Sequence, residues 1–342
     1  MDAAKAEFCS QGYVRLNLPI VTHENGQIYR YLSADATCPK EQVQDLKTHI
    51  LAVKFAMDTE SSKQAMLKEA QLLNKIKTSV KSSKDEGALS RFCLAKDIDD
   101  KNDISNGSWF MMDSPLPPIN LAMFIERWPC FLMIPRSFIA HVFVELYLTV
   151  DYLHNICDIA HKSFLSENIY LDISASSLVQ VGIPDGRGLP GTKLTNFGAS
   201  EDKPGIESKF KDIENLCRAV STLANADRIP DRTAGSKLLL GLIGPERNLK
   251  PLAYFHDFAD LMCAVATNHA CDTSRRFSLE DLGKKCFEFA LEERKCCKSH
   301  VMDVFMRKVR PWADEVERNE EIELAHIMRE SEKDPSTMLV KK

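Results

Sequence analysis

The chain has 342 residues, of which 44% are hydrophobic and 27% charged, and its formal net charge is −5. That much apolar material suits one large or two modest cores and excludes a wholly disordered chain. The mild acidity leaves no clustered basic footprint for nucleic acid or an anionic membrane surface, so neither is expected as a partner.

The opening "MDAAKAEFCSQGYV" has no basic stretch leading into an apolar one. No run of about eighteen apolar residues occurs anywhere, so a cytoplasmic or nuclear chain without a membrane segment is expected. The 11 cysteines form no C-x-x-C pair and no zinc-like spacing, and read as reduced, mostly buried thiols.

In chain order, "QIYRYLSADAT" and "THILAVKFAM" read as strands, the second alternating around its "AVK" centre. In "SSKQAMLKEAQLLNKIKTSV", Met66, Leu67, Ala70, Leu73 and Ile76 recur at three- and four-residue steps, which predicts an amphipathic helix with serines as its caps. "ALSRFCLAKDI" and "GSWFMMD" read as two more strands with a charged turn between them. The prolines of "DSPLPPINL" interrupt regular structure and place a hinge at 114–120.

Beyond the hinge, "RSFIAHVFVELYLTVDYLHN" aligns Ile139, Val142, Phe143, Leu146, Val150 and Leu153 on one stripe, a long buried helix. "SASSLVQVGIPDGRGLPGT", residues 174–192, reads as an exposed loop from its glycines and prolines. "DIENLCRAVSTL", "YFHDFADLMCAVA" and "SLEDLGKKCFEFALEE" are further helices. From Pro311, Trp312, Val316, Ile322, Leu324, Ile327 and Met328 make a broken stripe, read as a partly packed helix with a frayed end, with a partner-binding helix as the alternative. Strands plus one main helix, a hinge and then helices describe an α+β chain with a small strand-rich lobe and a large helical one.

Six stretches also follow one another in a fixed order between Gln27 and Glu292: "AVKF" with Lys54, "LKEAQLLNKI" with Glu69, "DYLHNICDIAHKSFLSENIYLDI" with His161, Ser163 and Asn168, "TKLTNFGAS" with Asn196 and Phe197, "DIENLCRAV" with Asp212, and "DTSRRFSLEDL" with Arg276. Together they resemble the eukaryotic protein kinase superfamily. The resemblance implies a two-lobe fold with an N-lobe at 27–113, the hinge, and a C-lobe at 121–292 with a truncated activation segment. Residues 1–26 and 293–342 are then extensions, the latter a helical extension and flexible tail. It also implies a Lys54–Glu69 ion pair, Asn168 at a metal-binding amide, Ser163 at the catalytic base, Leu165 at a phosphate-binding lysine and Asn196 at the magnesium acid. Leu73, His161 and Phe197 would form an internal stack, Asp212 would anchor the loop from beneath, and Arg276 would brace the helical lobe.

The departures from that pattern concern chemistry. Phosphoryl transfer depends on a phosphate cradle, ligands for divalent ions and a base near the acceptor. "YRYLSADATCPKEQ" has no glycine where the cradle belongs. Ser163 cannot hold a proton as a carboxylate does, Leu165 removes a charge, and neutral Asn196 weakens any metal site. Asn196 and Asp212 are sixteen residues apart, too close for a full activation segment, and Arg276 is left without the family's glutamate partner.

The expectation is a catalytically inactive kinase-like domain, a pseudokinase, acting as a protein-binding scaffold or allosteric regulator. It would need no cofactor, or would bind ATP with weak or no magnesium. The alternatives are an atypical ATP-dependent transferase using Lys54, Glu69 and Asn168, with Glu167 or Asp172 as substitute base, and a nucleotide-sensing module. Lys54 and Glu69 also read as a purely structural pair, and Asn168 as an amide bonded to its own loop.

Overall fold

The strand Ile50–Ala56 (β4) shows how the sequence builds the sheet. Its alternation places Val53 and Phe55 on one face, where they pack with Tyr31, Trp109 and Met111, and Ala52 and Ala56 on the other, which joins the main core. Lys54 shares that second face and is fully buried. The computed structural model describes residues 14–16, 22–23, 26–32, 50–57, 59–79, 87–98, 109–112, 119–128, 133–172, 178–179, 189–226, 252–268, 276–296 and 299–333.

Within these residues the chain is a mixed α+β protein, strand-rich at its start and helical towards its end. An antiparallel sheet of 6 strands joins β1 (Val14–Leu16), β2 (Thr22–His23), β3 (Gly26–Leu32), β4, β5 (Ala95–Ile98) and β6 (Trp109–Met112), with Ile28 and Phe110 flanking Lys54. Helix α1 (Glu60–Ser79) covers its inner face, burying Met66, Glu69, Ala70, Leu72, Leu73 and Ile76. Leu67 is only half-buried, and Leu72 takes the extra buried place. The cap is Thr59, whose Oγ1 accepts from the Ser62 amide at 3.2 Å, and not one of the serines that follow it.

The stretch expected as a strand from Ala88 begins as a 3-10 turn, Ala88–Arg91, and only Ala95–Ile98 pairs in the sheet. Phe92 bridges across to Leu194 instead. Of the hinge at 114–120, the described part is Ile119–Asn120 (β7), which pairs with β9 (Ile169–Asp172). Asn120 then caps α2 (Leu121–Arg127) by accepting from the Met123 amide at 2.8 Å.

Helix α3 (Arg136–Asp151), prolonged by a π-turn at Tyr152–Cys157, buries the whole stripe from Ile139 to Leu153. Buried Glu145 on α3 receives Arg91 at 3.2 Å and Arg294 at 3.5 Å. The expected loop at 174–192 is partly strand: β10 (Leu178–Val179) pairs with β11 (Leu189–Leu194), and buried Leu189 anchors the hairpin. Its remaining residues lie outside the described ones.

Helices α4 (Ile206–Ala224), α5 (Phe255–Asn268) and α6 (Leu279–Lys295) complete the core. Ser278 and Asp281 form a capping box at the start of α6. Residues Ser299–Lys333 form one helix, α7, that runs through Pro311 and does not start there as expected. Phe305 and Trp312 fix it, packing tilted or edge-on against Phe124, Trp128 and Phe138 with ring centroids 4.5–6.4 Å apart. Leu324 is also buried whereas Ile322 is exposed. The side chains of Val316, Ile327 and Met328 lie outside the described ones. No described helix is long and apolar enough to cross a membrane, and of the 6 described free cysteines Cys93, Cys157, Cys217 and Cys286 are buried.

Candidate functional site

Two periodicities meet at the centre of the molecule. The strand period turns Lys54 inward and the helix period puts Glu69 in the buried stripe of α1, so their charges face each other away from water. Lys54 Nζ donates to Glu69 Oε2 at 2.5 Å, and the pair is 0% and 1% exposed. The second oxygen, Glu69 Oε1, accepts the amide of Phe197 at 2.9 Å. Burial of two charges is tolerable only when their remaining lone pairs and protons find partners, and here they do.

Lys54 Nζ also reaches Asn196 Oδ1 at 3.4 Å. Asn196 Nδ2 donates to Asn168 Oδ1 at 3.3 Å, and Asn168 Nδ2 donates to the Ser163 carbonyl at 2.8 Å and its hydroxyl at 3.1 Å. The direction of donation is therefore uniform, from cation to amide to amide to loop. Each amide oxygen able to ligate a cation already accepts a hydrogen bond from inside the protein. Asn196 takes up the left-handed conformation, with φ 63 and ψ 62, which asparagine tolerates better than most residues.

The loop that carries Ser163 is held from below. Buried Asp212, near the start of α4, accepts the His161 amide at 2.7 Å, the Lys162 amide at 2.6 Å and His154 Nε2 at 2.9 Å. These bonds over-determine the backbone at Lys162, whose φ is 62. The His161 ring packs edge-on to Phe197 with centroids 4.6 Å apart, beside Phe92, and Leu73 is buried in the same core. His161 Nε2 donates to the Thr195 carbonyl at 2.9 Å. Burial drives its pKa below the ordinary histidine value, against the opposing pull of Asp212 and of that carbonyl.

Lys54, Glu69, Asn196, Asn168, Ser163, Phe197, His161 and Asp212 thus form one connected network. Arg276 is not in it, and Leu165 joins it only through its backbone, its N–H donating to the Ser163 carbonyl at 2.8 Å and its carbonyl accepting from the Asn168 amide at 2.9 Å. Leu165 is 42% exposed and lines a cavity against α2 and α4. Arg276 pairs with Glu207, a glutamate that the sequence reading did not name, in the first turn of α4, with the ring of Phe210 5.5 Å beneath the guanidinium. The short segment after Phe197 explains it. Glu201–Asp202 (β12) pairs with Ile159–Ala160 (β8), and four residues later α4 begins, carrying Glu207 to the arginine.

Sequence reasoning missed Thr195, His154, Phe92 and Glu201, which receives Lys162 at 3.4 Å. Only His154 carried a signal, as a buried-stripe polar residue needing a partner. Of the two substitute bases, Asp172 is 4% exposed and paired with Lys193 at 3.1 Å, while Glu167 is exposed beside Leu165. A scan against protein-family models returns no match, and a search of curated proteins returns none either.

Proposed function

We propose that this chain is a two-lobe, protein-kinase-like domain that does not catalyse phosphoryl transfer and acts as a protein-binding scaffold or allosteric regulator. The observation that carries this reading is the Lys54–Asn196–Asn168–Ser163 chain. At the positions where the resemblance puts a metal acid, a metal amide and a catalytic base, the side chains are neutral and bonded to one another. A divalent ion would have to displace those bonds without gaining a carboxylate at either 163 or 196. The Asp212 anchor, the His161–Phe197 packing and the Lys54–Glu69 pair fit the same reading, because each maintains shape.

In this proposal residues 27–113 and 121–292 are the lobes and no cofactor is required. Of the transferase alternative's two substitute bases, Asp172 is held by Lys193 at 3.1 Å, which leaves Glu167. The test is thermal unfolding of the full chain with ATP or ADP, each in magnesium and in EDTA, alongside Lys54→Met. A ligand at about a hundred times its Kd adds roughly 2.7 kcal/mol, a shift of several degrees. No shift in any condition is expected. A magnesium-dependent shift lost in Lys54→Met would replace the scaffold with a working enzyme, and a magnesium-independent one with a nucleotide sensor.

A further inference from the structure

Helix α7 meets the helical part of the molecule as a helix seated in a groove. Phe305, Val309 and Trp312 stand at positions i, i+4 and i+7, one face of a helix, and Phe305 and Val309 are fully buried. The groove that Phe305 and Trp312 enter is aromatic. Phe124 lies on α2, Trp128 ends that helix, and Phe138 lies on α3, with ring centroids 4.5 Å apart for Phe138 and Phe305. On the rim, Arg127 approaches Glu315 at 3.9 Å.

One wall of this groove is a helix too short to persist by itself. Helix α2 has 7 residues, below the length of about a dozen at which isolated helices become even marginal, so its order comes from packing. Its buried side chains are Leu121 and Phe124, and Phe124 is the one that α7 covers, with Phe305 at 5.8 Å and Trp312 at 5.9 Å. The other side of α2 faces the Ser163 loop. Ala122 and Ile125 line a cavity of about 370 Å³ opposite Leu165 and Ser166, and α2 packs against the turn Ser166–Asn168. Asn120, the cap of α2, is paired with Tyr170, two residues beyond Asn168.

We propose that α7 is a latch on the Ser163 loop, acting through α2. With Phe305 and Trp312 seated, α2 is helical and the turn that ends at Asn168 is braced. With them withdrawn, Phe124 and Trp128 lose their cover, α2 loosens and the turn loosens with it. The two-state element is α2, whose docked form depends on the aromatic burial that α7 supplies. Asn168 bonds onward to Ser163 and Asn196, so a partner that takes hold of the α7 anchors reaches the central network from outside it. The coupling stands on packing, and holds whether or not the Lys54 cleft takes a nucleotide.

Hydrogen exchange of the full chain, followed by mass spectrometry, tests the latch. Trp312→Ala removes a half-buried anchor. It is expected to speed exchange about tenfold at 305–315, 121–127 and 163–168, the equivalent of roughly half the burial of a large side chain, and to leave α4 as it was. Phe305→Ala should act more strongly on the same three segments, and if it does not fold, Trp312→Ala decides. Phe289→Ala, which removes a half-buried ring packed on Phe258, controls for general destabilisation and should loosen α5 and α6 while sparing the three segments. Asn120→Ala, which takes away the cap of α2, should loosen 305–315 as well as the loop, because coupling through α2 runs in both directions. The proposal is overturned if the α7 variants loosen α7 alone or leave it unmoved, if Phe289→Ala reproduces their pattern, or if Asn120→Ala leaves α7 unchanged.

Discussion

The Lys54–Glu69 pair allows a quantitative test of the central network. Both side chains are buried, and Glu69 makes a further bond to the Phe197 amide. Lys54→Met strands a carboxylate in the core, and Glu69→Met strands an ammonium. Each is expected to cost about 3–5 kcal/mol, the usual consequence of breaking a buried pair from one side. If the two residues acted independently, the double variant would lose about 6–10 kcal/mol, most of the stability of an ordinary domain. It removes both charges together, however, and replaces them with side chains of similar length. What remains is the unsatisfied Phe197 N–H, worth about 1–3 kcal/mol, the loss of the long 3.4 Å bond to the half-buried Asn196 Oδ1, and a packing mismatch of under about 1.5 kcal/mol. The double variant should therefore lose about 1–4.5 kcal/mol and not 6–10, with a coupling energy of at least about 1.5 kcal/mol. Equilibrium urea unfolding followed by circular dichroism measures all four corners of the cycle. Additivity within about 0.5 kcal/mol would refute the claim that the pair is a mutually dependent buried unit.

His141 is buried on α3 and donates from Nε2 to the Pro190 carbonyl at 2.9 Å, and burial lowers its pKa from 6.5 to about 4. The unfolded chain takes up a proton on falling below pH 6.5 and the folded chain does not, so stability is full above that pH and declines by about 3 kcal/mol towards pH 4. Urea midpoints at pH 7.5 and 5 should show His141→Gln with the shallower decline, and parallel declines would count against a buried neutral ring. A Cβ at Gly283 on α6 would collide with the Tyr147 hydroxyl, so Gly283→Ala should cost about 1–3 kcal/mol. Adding Tyr147→Phe should recover part of that cost in a thermal scan. Phe305→Ala should lose about 3–5 kcal/mol by emptying the aromatic cluster beneath α7, with a change in the fluorescence of neighbouring Trp128. An unchanged spectrum would mean that α7 is not held there.

Much of the fold was legible because it follows from periodicity. A two-residue period turned Lys54 inward, and steps of three and four put Glu69 in the stripe with Met66, Ala70 and Leu73. Periodicity says nothing of direction or length where side chains do not repeat. Hence the Ala88 turn, the β10–β11 hairpin and the passage of α7 through Pro311 were read wrongly, each decided by packing against a remote element. The absence of an acid at 163 and 196 was likewise a fact of residue identity, readable without coordinates.

What tertiary structure alone decided is where the remaining hydrogen bonds go. Asn168 faced two readings, metal amide or loop brace, and its bonds to Ser163 and Asn196 depend on residues five and twenty-eight positions away brought to hydrogen-bond distance. Arg276 found Glu207 across sixty-nine residues, and Asn215 Oδ1 found no partner among the described residues. The sequence by itself determined which charges and amides the chain carries and which faces must be buried, because burial follows hydrophobic pattern. Only the fold decided which polar groups satisfy one another and which is left over, because that depends on distances of about 3 Å between segments whose separation along the chain sets no distance.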